Sequence, residues 1–358
     1  MKLIHCADIH LDSRMETHMT SEQASMRNTE IIRSFVRMTE FAKENDVRVI
    51  IIAGDLFDGD RIKSRTVDEV FGAIRKTPGI DYLYLPGNHD EAFFALSNRD
   101  DIPNNLKQFN QRWETYEYEN VAISGIEICK ENSDSLYNNI PDTNLEFKIV
   151  VLHGQTAAVS GDNLVNLNLL KNRNIDYLAL GHLHSFSASP LDSNGTFCYS
   201  GCLEGRGFDE CGKKGFVLLN TDSEQLTYNF VPFSCRELHK IRVDITDLTN
   251  SHAIVQKLIS SAGNIKRTDM VEFILSGYSD PTANIAVPYV ESYLKDSYFF
   301  CKVKNESHMK IDPNDYKNDI SLKGEFIRLV LNSNENEEDK ASIIRAGIQA
   351  LSGEEITI

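Results

Sequence analysis

Five short segments of the sequence carry side chains that bind divalent metal ions, and each follows an apolar run. They are Asp8–His10, Gly54–Asp58, Gly87–Asp90, His153–Gly154 and Gly181–His184. Carboxylate and imidazole groups are good ligands for Mn, Fe, Zn or Mg. In α/β sheets, ligands bind outside the carboxyl ends of the strands. The five segments are therefore expected to meet at one edge of the fold and to form a metal site.

Such a ligand set favours one kind of chemistry. A carboxylate placed between two cations can bridge them at about 3.5–4 Å, the spacing suited to in-line phosphoryl displacement. A hydroxide held by both ions is then the nucleophile, because metal coordination lowers the pKa of water. The leaving oxygen needs a proton, which a histidine free of metal can donate. The pattern predicts hydrolysis of phosphate esters.

The elements that must position these segments alternate between strands and helices. Strands are predicted at KLIHCAD, VRVIIIAG, DYLYLPG, VAISGI, FKIVVLHG and IDYLALG. Helices are predicted near Glu22–Asn45, Thr66–Lys76 and Asn163–Asn172. Strands that alternate with helices indicate βαβ units whose sheets are covered on both faces. The sequence therefore predicts an α/β fold.

The pattern changes after Gly195 to strands of period two, at TFCYSG, KGFVLLN and LTYNFVPF. A fresh β-α-β-α-β pattern begins at Leu238, and two helices are predicted near the end of the chain, at Gly324–Leu331 and Ala341–Leu351. These changes predict a main domain over residues 1–235, a small α/β domain over 236–311 and a helical segment over 312–358.

Composition excludes several classes of protein. The 358 residues carry a net charge of −16, which argues against broad electrostatic binding of nucleic acid. Seven dispersed cysteines without a CxxC pair argue against a disulfide framework or a structural zinc site. The apolar runs are too short to cross a bilayer, and no secretory signal is evident. We expect a cytoplasmic protein without a membrane partner.

The series D-x-H, G-D-x-x-D, G-N-H-D, H-G and G-H-x-H resembles the calcineurin-like metallophosphoesterase superfamily. The resemblance implies a first ion held by Asp8, His10, Asp55 and His184, and a second held by Asp55, Asn88, His153 and His182. Asp55 would be the bridge between them. It also implies that His89 is the general acid and that Asp90 orients it. The implied fold is a four-layer α/β/β/α sandwich.

The opening A-D-I-H-L-D-S is similar to SbcD-type DNA repair exonucleases, in particular their YhaO-like branch. A later signature supports this, with Tyr199–Gly201, Gly205–Arg206, Glu210–Gly212 and Lys214–Gly215. The resemblance implies a Mn-dependent DNA exonuclease or endonuclease subunit. It also implies that the small α/β domain caps the active site, that the C-terminal helices dock an SbcC-like ATPase, and that the chain forms a homodimer.

Some residues depart from the related patterns. In protein serine/threonine phosphatases an arginine follows the corresponding segment, and here none follows G-N-H-D. The hypothesis that the chain is such a phosphatase is therefore weaker. Asp58 stands where some related nucleases carry a histidine. Arg14 and Arg206 are the candidate contacts for substrate phosphate, and His5 is expected to be a buried, hydrogen-bonded core residue. Two alternatives stay open: a phosphoesterase for small molecules or nucleotides, and a DNA-end tethering subunit with weak hydrolysis.

Overall fold

The chain forms two compact units, Met1–Leu238 and His239–Ile358. The computed structural model describes residues 1–15, 19–58, 62–88, 101–279, 285–309 and 319–352. No helix among these residues is long and apolar enough to span a membrane. All seven cysteines lie within the described ranges and are free thiols.

The first unit contains two six-stranded sheets. The order of strands in the first sheet is β14 (Thr227–Pro232), β13 (Gly215–Asn220), β1 (Lys2–Cys6), β2 (Val47–Ala53), β3 (Asp81–Leu85) and β4 (Leu106–Gln108). Strands β1 to β4 are parallel, whereas β13 and β14 run antiparallel to their neighbours. The parallel strands therefore end at a common edge.

The second sheet has a parallel centre flanked by antiparallel edge strands. Its order is β11 (Ser187–Pro190), β12 (Thr196–Tyr199), β10 (Tyr177–Gly181), β7 (Phe147–His153), β6 (Val121–Gly125) and β5 (Glu114–Tyr118). A small parallel ladder joins β8 (Gln155–Ala157) to β9 (Leu164–Asn166). The neighbouring strands β7 and β10 both end beside the edge where the predicted ligands lie.

Helices cover the outer faces of both sheets. They are α1 (Ser21–Glu44), α2 (Ser64–Arg75), a one-turn α3 (Leu167–Leu170) and a 3-10 helix at Leu136–Asn139. Helix α1 begins with a capping box, in which the Thr20 side chain and Gln23 bond reciprocally to each other's backbone N–H. Its apolar side chains, such as Phe35 and Met38, lie on one face and are fully buried against the first sheet.

Three apolar layers hold this unit together. Alternate residues of β1 point in opposite directions, so that Ile4 packs towards α1 and α2 while Leu3 packs between the sheets. A third layer, which includes Leu178 and Leu180, lies between the second sheet and its short helices. The result is the predicted four-layer α/β/β/α sandwich.

The second unit has a three-stranded sheet covered by two helices. Its elements are β15 (Leu238–Asp244), α4 (Ser251–Ala262), β16 (Met270–Ser276), α5 (Val287–Leu294) and β18 (Phe300–Asn305). Two short strands, β17 (Tyr278–Ser279) and β19 (His308–Met309), pair in parallel. The chain then forms α6 (Leu322–Leu331) and α7 (Glu337–Ser352), which pack through Ile327, Val330, Ile344 and Ile348. A small α/β domain and a helical tail are thus both present.

One predicted helix was wrong. Residues 163–172 contain the strand β9 followed by the single turn α3. Leu164, Val165 and Leu167 form a short apolar run that is compatible with either a helix or a strand. Pairing of β9 with β8 favours the strand.

Candidate metal centre

The predicted ligands lie at the carboxyl ends of adjacent parallel strands in both sheets. Asp8, Asp55 and Asn88 follow β1, β2 and β3 of the first sheet. His153 is the last residue of β7, and the segment His182–His184 follows β10 of the second sheet. Because the sheets pack face to face, their ligand-bearing edges come together.

Backbone bonds continue from β1 and β2 into the two ligand loops. The Asp8 N–H donates to the Gly54 carbonyl at 3.0 Å, and the His10 N–H donates to the Asp55 carbonyl at 2.9 Å. Asp8, His10 and Asp55 have positive φ values of 52°, 49° and 52°, and His182 has a φ of 103°. Non-glycine residues rarely adopt this conformation, and such strain concentrates at functional sites.

Two glycines allow the ligands to approach closely. A Cβ added to Gly54, whose φ is +97°, would lie 2.0 Å from Nδ1 of His153. A Cβ added to Gly87 would lie 2.2 Å from Oδ1 of Asp55. Both glycines are therefore required by the positions of ligand side chains.

The residues assigned to the first ion converge in the structure. His10 Nε2 lies 3.2 Å from His184 Nε2 and 3.7 Å from Asp55 Oδ2. Asp8, His10 and His184 each offer one ligand atom within a cluster in which all atoms lie within 4.8 Å of one another. Apart from His184, these side chains are almost fully buried.

The residues assigned to the second ion form an adjoining group. His153 Nε2 lies 3.5 Å from Asp55 Oδ2 and 3.0 Å from Asn88 Oδ1. Asn88 Oδ1 is also 3.3 Å from His182 Nδ1. Asp55 Oδ2 is thus close to a histidine of each group, which is the position expected of a bridging carboxylate.

The chemistry of these atoms suits a cation. His153 Nδ1 lies 2.9 Å from the Ala53 carbonyl and must donate to it, so in the neutral imidazole that binds metal Nε2 carries a lone pair. That lone pair faces the carboxylate of Asp55 and the amide oxygen of Asn88, and all three are acceptors. Two nitrogen ligands about 2.1 Å from one metal lie about 3.0–3.4 Å apart, which matches the His10–His184 pair. The residues present therefore fit divalent metal ions.

Burial also shifts the pKa values of several of these side chains. It lowers the pKa of His10 and His182, which favours the neutral imidazoles that metal binding requires. Burial raises the pKa of Asp8, although the neighbouring histidines oppose this. The Asp8 carboxylate accepts from the His182 N–H at 2.9 and 3.1 Å, which orients it towards the centre.

His184 is held by residues that the sequence did not single out for this role. Glu210 Oε1 lies 2.6 Å from His184 Nδ1, and Lys214 Nζ donates to the His184 carbonyl at 2.6 Å. Burial raises the pKa of Glu210, but the bond from His184 and the charge of Arg206 outweigh it and leave that pKa well below its usual range. The only signal in the sequence was the later signature, which carried no assigned role for either residue.

The remaining residues singled out from the sequence differ in where the structure places them. His89 and Asp90 lie outside the described residues. Arg14 is exposed, whereas Arg206 is partly buried and its guanidinium faces Glu210 and Asp58. The prediction for His5 is confirmed, since it is fully buried and its Nδ1 lies 2.9 Å from the Tyr177 hydroxyl.

The family known as calcineurin-like phosphoesterase matches residues 1–186, the part of the chain that carries every predicted ligand. The chain belongs to this family. Membership makes it a metal-dependent phosphoesterase.

Among relatives, this calcineurin-like phosphoesterase is similar to the uncharacterized metallophosphoesterase YhaO of Bacillus subtilis. The two are 25% identical over 286 residues, which cover 75% of this chain and 69% of YhaO. It is also 24% identical over 274 residues to the DNA double-strand break repair protein Mre11 of Methanopyrus kandleri, covering 68% of this chain and 59% of that protein. These relatives bear out the resemblance to the SbcD-type branch.

A dimetal phosphatase from Danio rerio has a solved structure that aligns with 65% of the chain and covers 99% of that protein. The sequence identity is 13% and the TM-score is 0.41.

Proposed function

We propose that this phosphoesterase hydrolyses phosphodiester bonds in DNA, as the nuclease subunit of an SbcCD-like repair complex. One observation carries the proposal. The similarity to YhaO extends over 286 residues, well beyond the 1–186 that match the family as a whole. The relatives that match over such lengths include a DNA double-strand break repair protein.

The chain's own side chains supply a rigid centre for this reaction. Asp55 lies between the two histidine groups, and the backbone bonds of Asp8 and His10 fix the first loop against the second. When bound, two divalent ions would activate water and neutralise the phosphate oxygens. We propose manganese as the metal, with iron, zinc or magnesium as the alternatives to be compared in the same assay.

His89 is proposed as the general acid that protonates the leaving oxygen, with Asp90 orienting its ring. Both follow Asn88, whose Oδ1 lies 3.0 Å from His153. In the sequence they therefore adjoin a proposed metal ligand. General acid catalysis of this kind contributes about 10²–10⁴-fold to rate.

The test is Mn-dependent degradation of labelled duplex and single-stranded DNA. We expect cleavage by the wild-type protein and its loss in Asp55→Ala and His89→Ala. Wild-type protein that hydrolyses bis-p-nitrophenyl phosphate but leaves every DNA substrate intact would exclude the nuclease function.

A second candidate is a phosphoesterase for nucleotides or small molecules, favoured by the net charge of −16. Phosphodiesters and phosphomonoesters compared at equal concentration separate the two functions. A nuclease prefers diesters, whereas strong preference for a nucleotide monoester supports the second candidate.

The C-terminal helices are proposed to dock an SbcC-like ATPase. They expose several large apolar side chains, namely Leu322, Leu329, Ile343 and Leu351, and Ile320 just before the first helix is also exposed. Exposed apolar patches of this kind mark interaction sites. Deletion from residue 313 onward should abolish ATPase binding and leave hydrolysis intact. Retained binding would exclude this docking site and, with it, a tethering role exerted through these helices.

Two further properties are proposed. Seven free cysteines suit a reducing compartment, so we place the protein in the cytoplasm. Fractionation of cells that express it would test this. We also propose a homodimer, which light scattering of the purified chain would reveal as twice the mass of 40.5 kDa.

A further inference from the structure

A carboxylate lies behind each histidine assigned to the first ion. Glu210 Oε1 is 2.6 Å from His184 Nδ1, and Asp58 Oδ1 is 3.8 Å from His10 Nδ1. Arg206 lies between the two carboxylates, with Nη2 at 2.8 Å from Glu210 and Nη1 at 3.5 Å from Asp58. The closer pair, Glu210 and His184, has the geometry of a short charge-assisted hydrogen bond.

Glu210 is itself firmly fixed. Its Oε2 accepts from the backbone N–H of Arg206 at 2.8 Å, and its Oε1 accepts from the guanidinium of the same residue. The Cys202 thiol approaches Oε2 at 3.7 Å. Only 4% of Glu210 is exposed, so water competes little for its oxygens. The carboxylate can therefore orient a neighbour without moving.

The main chain of His184 is held by the same segment. Its carbonyl accepts from Lys214 Nζ at 2.6 Å and from the Cys202 thiol at 3.3 Å. Lys214 is almost fully buried, as is Cys202. Residues between 202 and 214 thus fix both the backbone and the ring of His184.

The hydrogen bond to Glu210 decides which nitrogen of His184 faces the metal. An ionised carboxylate only accepts hydrogen bonds, so Nδ1 must carry the proton. In the neutral imidazole that binds metal, Nε2 then keeps its lone pair, and this nitrogen lies 3.2 Å from His10 Nε2. A carboxylate on the far nitrogen fixes the tautomer of a metal-bound histidine and raises its basicity as a ligand.

We propose that Glu210 is a positioning residue that fixes the tautomer and ring orientation of His184, and that Arg206 holds Glu210 in place and balances its charge. Arg206 then acts on the first ion through Glu210, and phosphate binding is not its main role. This inference rests on the metal centre of the proposed function and is independent of the choice of DNA as substrate.

The test uses the full chain and Co²⁺ as the probe. Metal-free wild type, Glu210→Gln and the control Asp209→Asn are titrated with Co²⁺, and the visible absorption bands report each binding event. Asp209 is exposed and precedes Glu210, so its variant makes the same charge change in the same loop. Circular dichroism of each metal-free variant shows that it is folded.

We expect two Co²⁺ ions per wild-type chain. In Glu210→Gln one binding event should weaken by about 10–100-fold, while the other changes less than threefold. Asp209→Asn should retain both. Unchanged binding in Glu210→Gln, equal weakening of both events, or the same loss in Asp209→Asn would overturn the proposal for Glu210. A wild-type chain that binds no Co²⁺ would instead refute the metal centre itself.

A second measurement needs no variant. In wild-type protein loaded with Zn²⁺ and labelled with ¹⁵N-histidine, long-range ¹⁵N–¹H correlation shows which ring nitrogen is protonated. We expect His184 to be protonated at Nδ1. Protonation at Nε2 would contradict the role of Glu210 even if Glu210→Gln does not fold.

Discussion

The Nε2 atoms of His10 and His184 face each other at 3.2 Å, with ring centroids 5.0 Å apart and ring planes at 73°. Glu210 requires a proton on Nδ1 of His184, so in the neutral imidazole Nε2 presents a lone pair. If His10 likewise directs its Nδ1 proton towards Asp58, two lone pairs oppose each other. A cation between them converts this repulsion into coordination.

The first prediction concerns metal removal. Because ions bind the folded centre, chelation with EDTA should lower the melting temperature, and Mn²⁺ should restore it. At a free metal concentration 100 times the Kd, the stabilisation is about 2.7 kcal/mol. Differential scanning calorimetry measures the shift, which should shrink in His10→Ala. A melting temperature that does not respond to EDTA or Mn²⁺ would count against the centre.

Asp55→Ala should disturb both ions. The carboxylate lies 3.7 Å from His10 Nε2 and 3.5 Å from His153 Nε2, so its loss exposes the two cations to each other. Metal analysis should show fewer than two ions per chain. Asp12→Asn is the control, because Asp12 has a similar backbone conformation but bonds to Lys63 and Thr66. Full metal content in Asp55→Ala would exclude a bridging role.

His89→Ser should lower turnover of phosphodiesters by about 10²–10⁴-fold, because the leaving oxygen would lack its proton donor. Bound metal should stay near the wild-type value if His89 is an acid. The two measurements are made on the same preparation. Loss of an ion from His89→Ser would show that His89 is a ligand.

Two glycine variants test the close approach at the second ion. In Gly54→Ala the new Cβ would lie 2.0 Å from His153 Nδ1 at a φ of +97°, so His153 must move and metal affinity should fall by at least tenfold. In Gly72→Ala, on α2, the new Cβ meets nothing within 4 Å. That control should keep its metal and gain about 0.5–1 kcal/mol of stability. Equal metal affinity in both variants would contradict the requirement for glycine at position 54.

His5 makes the stability of the protein depend on pH. Burial lowers its pKa from 6.5 to about 3, so below pH 6.5 the unfolded chain binds a proton that the folded chain excludes. Stability is therefore complete above pH 6.5 and falls as the pH decreases towards 3, by about 1.4 kcal/mol per pH unit from this residue. The difference in urea unfolding free energy between wild type and His5→Gln should change with this slope. A difference that is constant between pH 7 and pH 4.5 would contradict it.

The sequence predicted the central strands well because they are buried on both faces. Strands such as β2 and β7 are apolar runs interrupted only by Arg48 and Lys148 near their starts, a pattern typical of strands buried on both faces. The edge strands β4, β5 and β11 were not predicted. Their residues are polar or half-exposed, and only pairing with a neighbour defines them.

The ligands were predictable because each needs a particular functional group at the end of a strand. The residues that hold His184 in place were not predictable. Glu210 and Lys214 lie 26 and 30 residues further along the chain, in a separate loop. The left-handed conformations of Asp8 and His182 were not predicted either, because a sequence pattern does not report backbone strain.

Each proposed ion takes ligands from both sheets, and the gap between those sheets is narrow at the metal centre. A Cβ added to Gly181 would lie 1.8 Å from the Ala53 carbonyl, the same carbonyl that accepts from His153 Nδ1. Ala7 and Ala53 are fully buried in that gap. The small side chains there set the distance between the ligands of one sheet and those of the other. Enlarging one of them would alter coordination from inside the protein, without changing a ligand or anything a substrate touches.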